Sequence, residues 1–365
     1  KALTITADNQ GKAFNTLFTF AGTEFTPSGL ILGDTIASVT LTSLGTPVLA
    51  PVGTYPIVPS VAVAGPGTNL GNYTIAYVNG TMTVTTNTIL TITAVDQTKI
   101  YGDVFTFNGS LAGGMFTVSG LVAPDTVTSI TLNSLGAPSP ADVGSYTITP
   151  SAAVGAGLGN YTIVYANGTM NVTPRDLTFN PNSQTKTYGD VFSAYTGAFN
   201  PGGLRVGDNI TPIYDSLGAV ATAPVGVYPI TVTLDDPGGR LGNYNVTIDP
   251  LPAATLTVNP RALTITADNQ TKVYGDPFVF TGTEFTTGAS QLVNGDTVAS
   301  VTLTSTGTPI TALASPPTHP IVPSAATGTG LSNYAIAYVN GAMTVTKPNL
   351  TVTSDGQTKI YGDVF

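Results

Sequence analysis

Asn72-Tyr-Thr-Ile-Ala-Tyr-Val-Asn-Gly-Thr-Met-Thr-Val84 decides what kind of structure this chain adopts. Tyr73, Ile75 and Tyr77 alternate with Thr74, Ala76 and Val78, so one face of an extended segment is aromatic and aliphatic. Asn79-Gly80 reads as the two positive-φ positions of a tight hairpin, from which Thr81-Met-Thr-Val84 returns antiparallel. The same device recurs at Asn160–Val172, with Asn167-Gly168, and at Asn333–Val345, with Asn340-Gly341. A further copy starts at Asn243 but carries Ile248-Asp-Pro-Leu-Pro252 in place of the turn, which predicts a longer or looser connection there.

Working outward, the stretch closes a repeat. Leu3-Thr-Ile-Thr-Ala-Asp-Asn-Gln10 returns, varied, at Leu90, Leu177, Leu263 and Leu350, a step of 86 or 87 residues. After each opening strand comes Thr-Lys-x-Tyr-Gly-Asp-x-Phe, at Thr98–Phe105, Thr185–Phe192, Thr271–Phe278 and Thr358–Phe365. The turn triplets are Tyr101-Gly102-Asp103, Tyr188-Gly189-Asp190 and Tyr274-Gly275-Asp276. The first repeat departs from them with Gly11-Lys-Ala-Phe-Asn-Thr-Leu-Phe18. A second turn ends in Asp34, Asp125, Asp208 and Asp296, and a Tyr-Pro-Ile or Tyr-Thr-Ile strand follows. The expected boundaries are 1–86, 87–173, 174–259 and 260–346, with 347–365 the start of a fifth module. A longer period is also present: the only Glu residues, Glu24 and Glu284, lie 260 apart in near-identical surroundings. Pro174, Pro260 and Pro348 stand at the joints, without Gly or Ser runs, and predict stiff connections. The sequence opens at Lys1 without a signal peptide and reads as a piece of something longer.

Composition narrows the classes. The 365 residues include 41 Gly and 27 Pro, which argues against long helices, while Thr, Val, Ile and Tyr suit strands. No Cys means no disulfide framework, thiolate zinc site or cysteine nucleophile. A net charge of −9 opposes binding to nucleic acid or anionic lipid. No apolar run approaches the ~18 residues of a membrane span, so no membrane insertion is expected in this segment.

The Tyr-Gly-Asp turn after a Leu-Thr-Ile-Thr strand, the Asn294-Gly-Asp-Thr297 turn and the Ser332–Gly341 stretch resemble the bacterial MBG repeat of the YGX type. The resemblance covers essentially the whole chain. It implies tandem modules of large secreted or surface-attached, often adhesin-like, bacterial proteins, and an extracellular location.

Candidate chemistry meets simpler explanations. His319 is the only imidazole and stands where sister repeats carry Tyr, so it reads as an aromatic exchange; no catalytic residue is expected. The recurrent Asp residues follow Gly or Pro in turns, where a carboxylate accepts local backbone N–H bonds. Calcium needs six to eight oxygens; no Asp-x-Asp-x-Asp loop exists, and Asp235-Asp236 is the nearest cluster. No metal site or cofactor is therefore expected, with Ca²⁺ the candidate if carbonyls supply the other ligands. Lysines recur at one module position, and an Asn recurs at the start of the closing stretch. Lys99 with Asn160, Lys186 with Asn243, and Lys272 with Asn333 are candidates for an intramolecular isopeptide, which needs an apolar site and an uncharged amine. Strand parity opposes it, because Lys272 falls on the side of Thr264 and Thr266 if the strand is unbroken; an exposed Lys on an edge strand then explains it. Tyr73, Tyr77 and their counterparts are expected in the core or between modules, with their hydroxyls at the rim.

The chain is thus expected to be all-β, a linear tandem array of Ig-like β-sandwich modules of about 87 residues, with a β-grasp-like sheet as the alternative. A short helical turn is expected near Gly29–Thr35. The expected role is a non-enzymatic stalk or fibre segment whose partners are neighbouring modules of the same chain. A ligand-binding adhesin module is one alternative. The other is a filament or bundle of identical chains, joined by strand addition.

Overall fold

The computed structural model describes residues 1–86, 88–249, 253–315 and 318–364. The chain divides into two compact units, Lys1–Arg175 with Gly242–Asn245, and Asp176–Leu241 with Val246–Phe365. Among the described residues the regular structure is strand, interrupted by single 3₁₀ turns.

The first module shows the plan. Its strands are β1 (Ala2–Ala7), β2 (Gln10–Ala13), β3 (Phe25–Ser28), β4 (Ile36–Thr42), β5 (Gly53–Ala64), β6 (Thr74–Val78) and β7 (Gly80–Thr85). One sheet has the order β3-β1-β6 and the other β2-β7-β5-β4. Leu3, Ile5 and Ala7 from the first sheet meet Val39, Leu41, Ile57 and Met82 from the second in one core, which makes the module an Ig-like sandwich. Leu3, Ile5, Ile57 and Met82 are wholly buried. Residues 88–173 repeat the arrangement in the first unit, and residues 261–346 repeat it in the second.

The closing stretch is not a hairpin. β6 pairs with β1 and β7 pairs with β2, both in parallel, so Asn79-Gly80 carries the chain from one sheet to the other. Asn167-Gly168 and Asn340-Gly341 do the same. None of these glycines has positive φ. What the position demands is room, since a Cβ on Gly80 would lie 2.4 Å from the Ala7 carbonyl oxygen. Two adjacent strand runs, 2–13 and 74–85, thus cross between the sheets side by side, and Thr81 N–H donates to Asn9 Oδ1 (2.8 Å) at the crossing. The connection expected to be looser, at 248–252, lies partly outside the described residues.

The crossing also reverses parity. β1 stops at Ala7 and β2 restarts at Gln10 in the facing sheet, whose inward direction is opposite. Lys12, Lys99, Lys186 and Lys272 therefore point into their modules and are buried rather than lining an exposed edge. The expected helical turn near Gly29–Thr35 is instead a tight non-helical turn closed by Asp34 N–H to Ile31 O. A 3₁₀ turn sits before the Tyr strand in each module, at Leu70–Asn72, Leu158–Asn160, Leu241–Asn243 and Leu331–Asn333.

The Tyr77 position has a separate task. β5 is bulged opposite β4, with Val61 in the left-handed region (φ 43°), and the freed Ala62 N–H donates to Tyr77 Oη (2.8 Å). Ala153 N–H to Tyr165 and Ala326 N–H to Tyr338 repeat the clasp beside Ala152 and Ala325, also at positive φ. The third module has Ile248 there. Its strands Thr211–Asp215 and Thr231–Asp235 pair in unbroken register, without a bulge. Bulge and tyrosine come and go together: the N–H that the bulge frees from the ladder takes the tyrosine hydroxyl as its acceptor.

Candidate functional site: the repeated module joint

Each Tyr-Gly-Asp triplet makes a tight turn with its glycine at positive φ: Gly102 (87°), Gly189 (89°) and Gly275 (94°), closed by Asp103, Asp190 and Asp276 N–H groups. In the first module Asn15 takes the left-handed position (φ 63°), and Phe14 replaces the tyrosine. The buried lysine fastens this turn to the loop across the module. Lys99 Nζ donates to Asp103 O (2.9 Å), Ala137 O (3.3 Å) and Pro138 O. Lys272 does likewise to Asp276 O (2.9 Å), Thr308 O (3.2 Å) and Pro309 O. Lys12 holds Thr16 O and Pro47 O, and Lys186 holds Asp190 O and Val220 O. Burial pushes the Lys12 and Lys186 ammonium groups below their usual range.

The fastened turn presents its aromatic ring to the next module. Phe14 meets Tyr161 edge-on with ring centroids 5.5 Å apart, and Tyr188 meets Tyr334 at 5.6 Å. Beside the rings, the next module's Asn caps a loop of the preceding one. Asn160 Oδ1 accepts from Val52 N (2.9 Å) in the first unit, and Asn333 Oδ1 accepts from Val225 N (3.0 Å) in the second. Also within the first unit, Tyr101 meets Tyr244 at 5.5 Å and Asn243 Oδ1 accepts from Val143 N (2.7 Å). Asn160, Asn243 and Asn333 are buried, whereas Asn72 is exposed.

The second-turn aspartates complete the joint. Tyr161 Oη and Asn160 Nδ2 both donate to Asp125 Oδ2, at 2.9 and 3.1 Å. Tyr188 and Tyr334, from consecutive modules, both donate to Asp296 Oδ2 at 2.9 Å. Burial raises the Tyr161 and Tyr334 hydroxyl pKa values, and acceptance by the aspartate adds to it. Arginine from the connecting segment reaches back over the turn: Arg175 to Tyr101 O (2.7 Å) and Asp103, Arg261 to Tyr188 O and Asp190 Oδ1 (both 3.2 Å). Tyr274, the counterpart of Tyr101 and Tyr188, is 44% exposed.

Lys99, Lys186 and Lys272 bind carbonyls of their own modules, while Asn160, Asn243 and Asn333 serve the joints. His319 Nε2 lies 3.0 Å from Leu313 O and Nδ1 3.0 Å from Thr306 Oγ1. The carbonyl requires Nε2–H as donor, so Nδ1 accepts from the threonine. Tyr55, Tyr146 and Tyr228 make the equivalent bond to a loop carbonyl four residues back. Asp236 is engaged by Arg240 N and Leu241 N, which hold its carboxyl below the usual range; Asp235 is exposed. Among the described residues no three His, Cys, Asp or Glu side chains converge as a metal site. No helix among them is long and apolar enough to cross a membrane.

Tyr161 and Tyr334 lie between modules, one of the two places expected for them, whereas the asparagine and aspartate roles at the joint escaped the sequence reading, which placed the Asp residues in self-satisfied turns. The available signal was their fixed spacing in successive repeats. Together the sandwich and its recurring joint define a protein built of tandem β-sandwich repeat modules. The chain belongs to the MBG domain (YGX type) family, which it matches over residues 3–83, 90–171, 177–257 and 263–344. No curated protein is matched. Among solved structures, Drosophila N-cadherin EC1-4 is similar at 9% identity and a TM-score of 0.24, covering 95% of this chain and 100% of that one. The titin I9-I11 tandem is similar at 12% identity and a TM-score of 0.20, covering 71% and 100%. Dscam1 isoform 8.4, N-terminal four Ig domains, is similar at 10% identity and a TM-score of 0.18, covering 93% and 96%.

Proposed function

We propose that this chain is a non-enzymatic structural segment of a large extracellular bacterial surface protein, forming a stiff stalk or fibre. The observation that carries the reading is the joint itself. A ring-on-ring contact and a buried Asn cap recur wherever one module meets the next within a unit, which restricts bending at each step. The lone imidazole is committed to two structural hydrogen bonds. Location outside the cell rests on the family resemblance.

A ligand-binding role as an adhesin module is the second reading. The second module has an extra 3₁₀ turn, Leu111–Gly113, beside an apolar groove lined by Leu111, Ala112, Leu121 and Val127. Electron microscopy of the chain and of longer tandem segments tests the stalk. The expected images are single thin rods whose length grows in proportion to module number. Flexible beads would overturn stiffness, and ordered bundles of many chains would favour self-assembly by strand addition.

A further inference from the structure

The first and last strand runs of each module are parallel neighbours. In the first module β1 pairs with β6 over Ala2–Thr6 and Thr74–Val78, and β2 pairs with β7 over Gln10–Ala13 and Met82–Thr85. The second module repeats this at 88–93 with 161–166 and 97–100 with 170–173. The fourth repeats it at 261–266 with 334–339 and 270–273 with 343–346. In the third, Gln184–Thr187 pairs with Leu256–Asn259 in the same sense. A chain pulled by its ends drags the first run backward along its own axis and the last run forward along the same axis. Parallel neighbours loaded in this way slide past each other, so the hydrogen bonds of both sheets carry the load together. An antiparallel pair pulled from one end opens one bond at a time.

We infer that each module is a shear clamp, and that this chain's further function is to bear tension along the polypeptide. The details of the crossing serve that task. Side-chain braces tie the two runs where they change sheets: Thr81 N–H to Asn9, Thr169 N–H to Asp96, Thr255 N–H to Ser183 and Ala342 N–H to Asn269. Gly80, Gly168 and Gly341 let the backbones approach there, each Cβ position lying within 2.7 Å of a carbonyl oxygen on the first run. The buried lysine sits on β2 and its equivalents, anchoring the same run to the loop on the far side of the module, as Lys99 does at Ala137 and Pro138 and Lys272 at Thr308 and Pro309. Sliding therefore has to break ladder, brace and anchor together.

The inference rests on the stalk reading for its purpose, but its test does not. The absence of cysteine from the chain permits unique handles. In the full chain, Lys1→Cys with Thr86→Cys loads the first module in shear, whereas Pro51→Cys with Thr86→Cys peels β7 from its antiparallel neighbour β5; all three sites are exposed. Single-molecule pulling at equal loading rate is expected to give an unfolding force at least about twofold higher for the first pair, because several hydrogen bonds fail together. The full chain pulled by its ends should release roughly 290–310 Å of contour per module, less the folded length. Equal forces in the two directions would overturn the clamp even if electron microscopy shows stiff rods. High forces in shear with flexible beads would retire the stalk alone.

Discussion

The joint between the first two modules and the joint between the last two share two contacts and differ in the polar groups around them. Both have an edge-on ring pair and an Asn that caps a valine N–H of the preceding module. In the first, the preceding ring is Phe14 and the connection Val84–Thr88 has no arginine. In the last, Tyr188 adds a hydroxyl to Asp296, Arg261 reaches Asp190, and Asn294 Nδ2 donates to Ala221 O at 3.0 Å. The shared set is the least that orients one sandwich on the next. The added polar contacts distinguish the joints without changing their geometry.

The largest effect should come from below both joints, where a lysine holds the turn that carries the ring. Lys186→Met leaves the Asp190 and Val220 carbonyls without their donor and is expected to destabilise the third module by on the order of 2 kcal/mol. Calorimetry should show its melting separating from that of its neighbour. Unchanged melting would mean that the carbonyls find other donors and that the lysine is not the anchor of the turn.

Next in size is a direct conversion of one joint into the other. Tyr188→Phe keeps the ring and removes the hydroxyl on Asp296, and should cost about 1 kcal/mol. Phe14→Tyr is the reciprocal change on the ring that meets Tyr161, whose hydroxyl donates to Asp125. If the two joints are variants of one design, the first substitution lowers and the second raises the coupling between adjacent modules, read as the interval between their unfolding transitions. Movement of both in one direction would break the comparison.

Acid separates modules rather than joints. Desolvation pushes the Glu284 carboxyl upward, but N–H groups of Thr281, Gly282 and Thr283 with the Thr281 hydroxyl outweigh it and hold the pKa at about 2. Glu24 is lowered in the first module by backbone N–H groups alone, Ala21 standing where Thr281 adds its hydroxyl. A depressed carboxyl contributes stability that is complete above its unfolded value, near 4.5, and is lost as pH falls through the folded value near 2. The first and fourth modules should therefore lose melting temperature between about pH 5 and 2 by a component that Glu24→Gln and Glu284→Gln abolish. The second and third modules, without Glu, lack that component. An identical acid response in the variants would assign it to other carboxylates.

The limits of legibility in the sequence follow from these particulars. Periodicity located the strands, and the repeat located the modules, because alternation and copying are local or nearly so. The partner of each strand was not local. Asn79-Gly80 has the composition of a hairpin turn, yet the neighbouring strands are claimed by residues about 70 positions earlier, and the glycine is needed for contact with Ala7 rather than for its φ. Lys272 was assigned outward by counting through a strand that in fact changes sheets. Residues 347–364 carry the same opening signals yet are exposed and form no strand. The joint residues are each ordinary turn or strand residues in sequence. They become a site only when two modules meet.

The smallest effect belongs to the arginine that most visibly separates the two joints. Arg261 and Asp190 are 28% and 54% exposed, so their attraction is screened by water and offset by ordering two side chains. Arg261→Ala should cost roughly 0.2–1 kcal/mol from the ion pair, and that part should shrink as salt is raised. The part-buried Tyr188 carbonyl also loses a donor, a loss that salt leaves unchanged. If the variant instead costs several kcal/mol at high salt, Arg261 is acting as a covering stem over the turn. In that case the first joint, which has no such residue, should be the more easily opened of the two, by more than the Tyr188 hydroxyl accounts for.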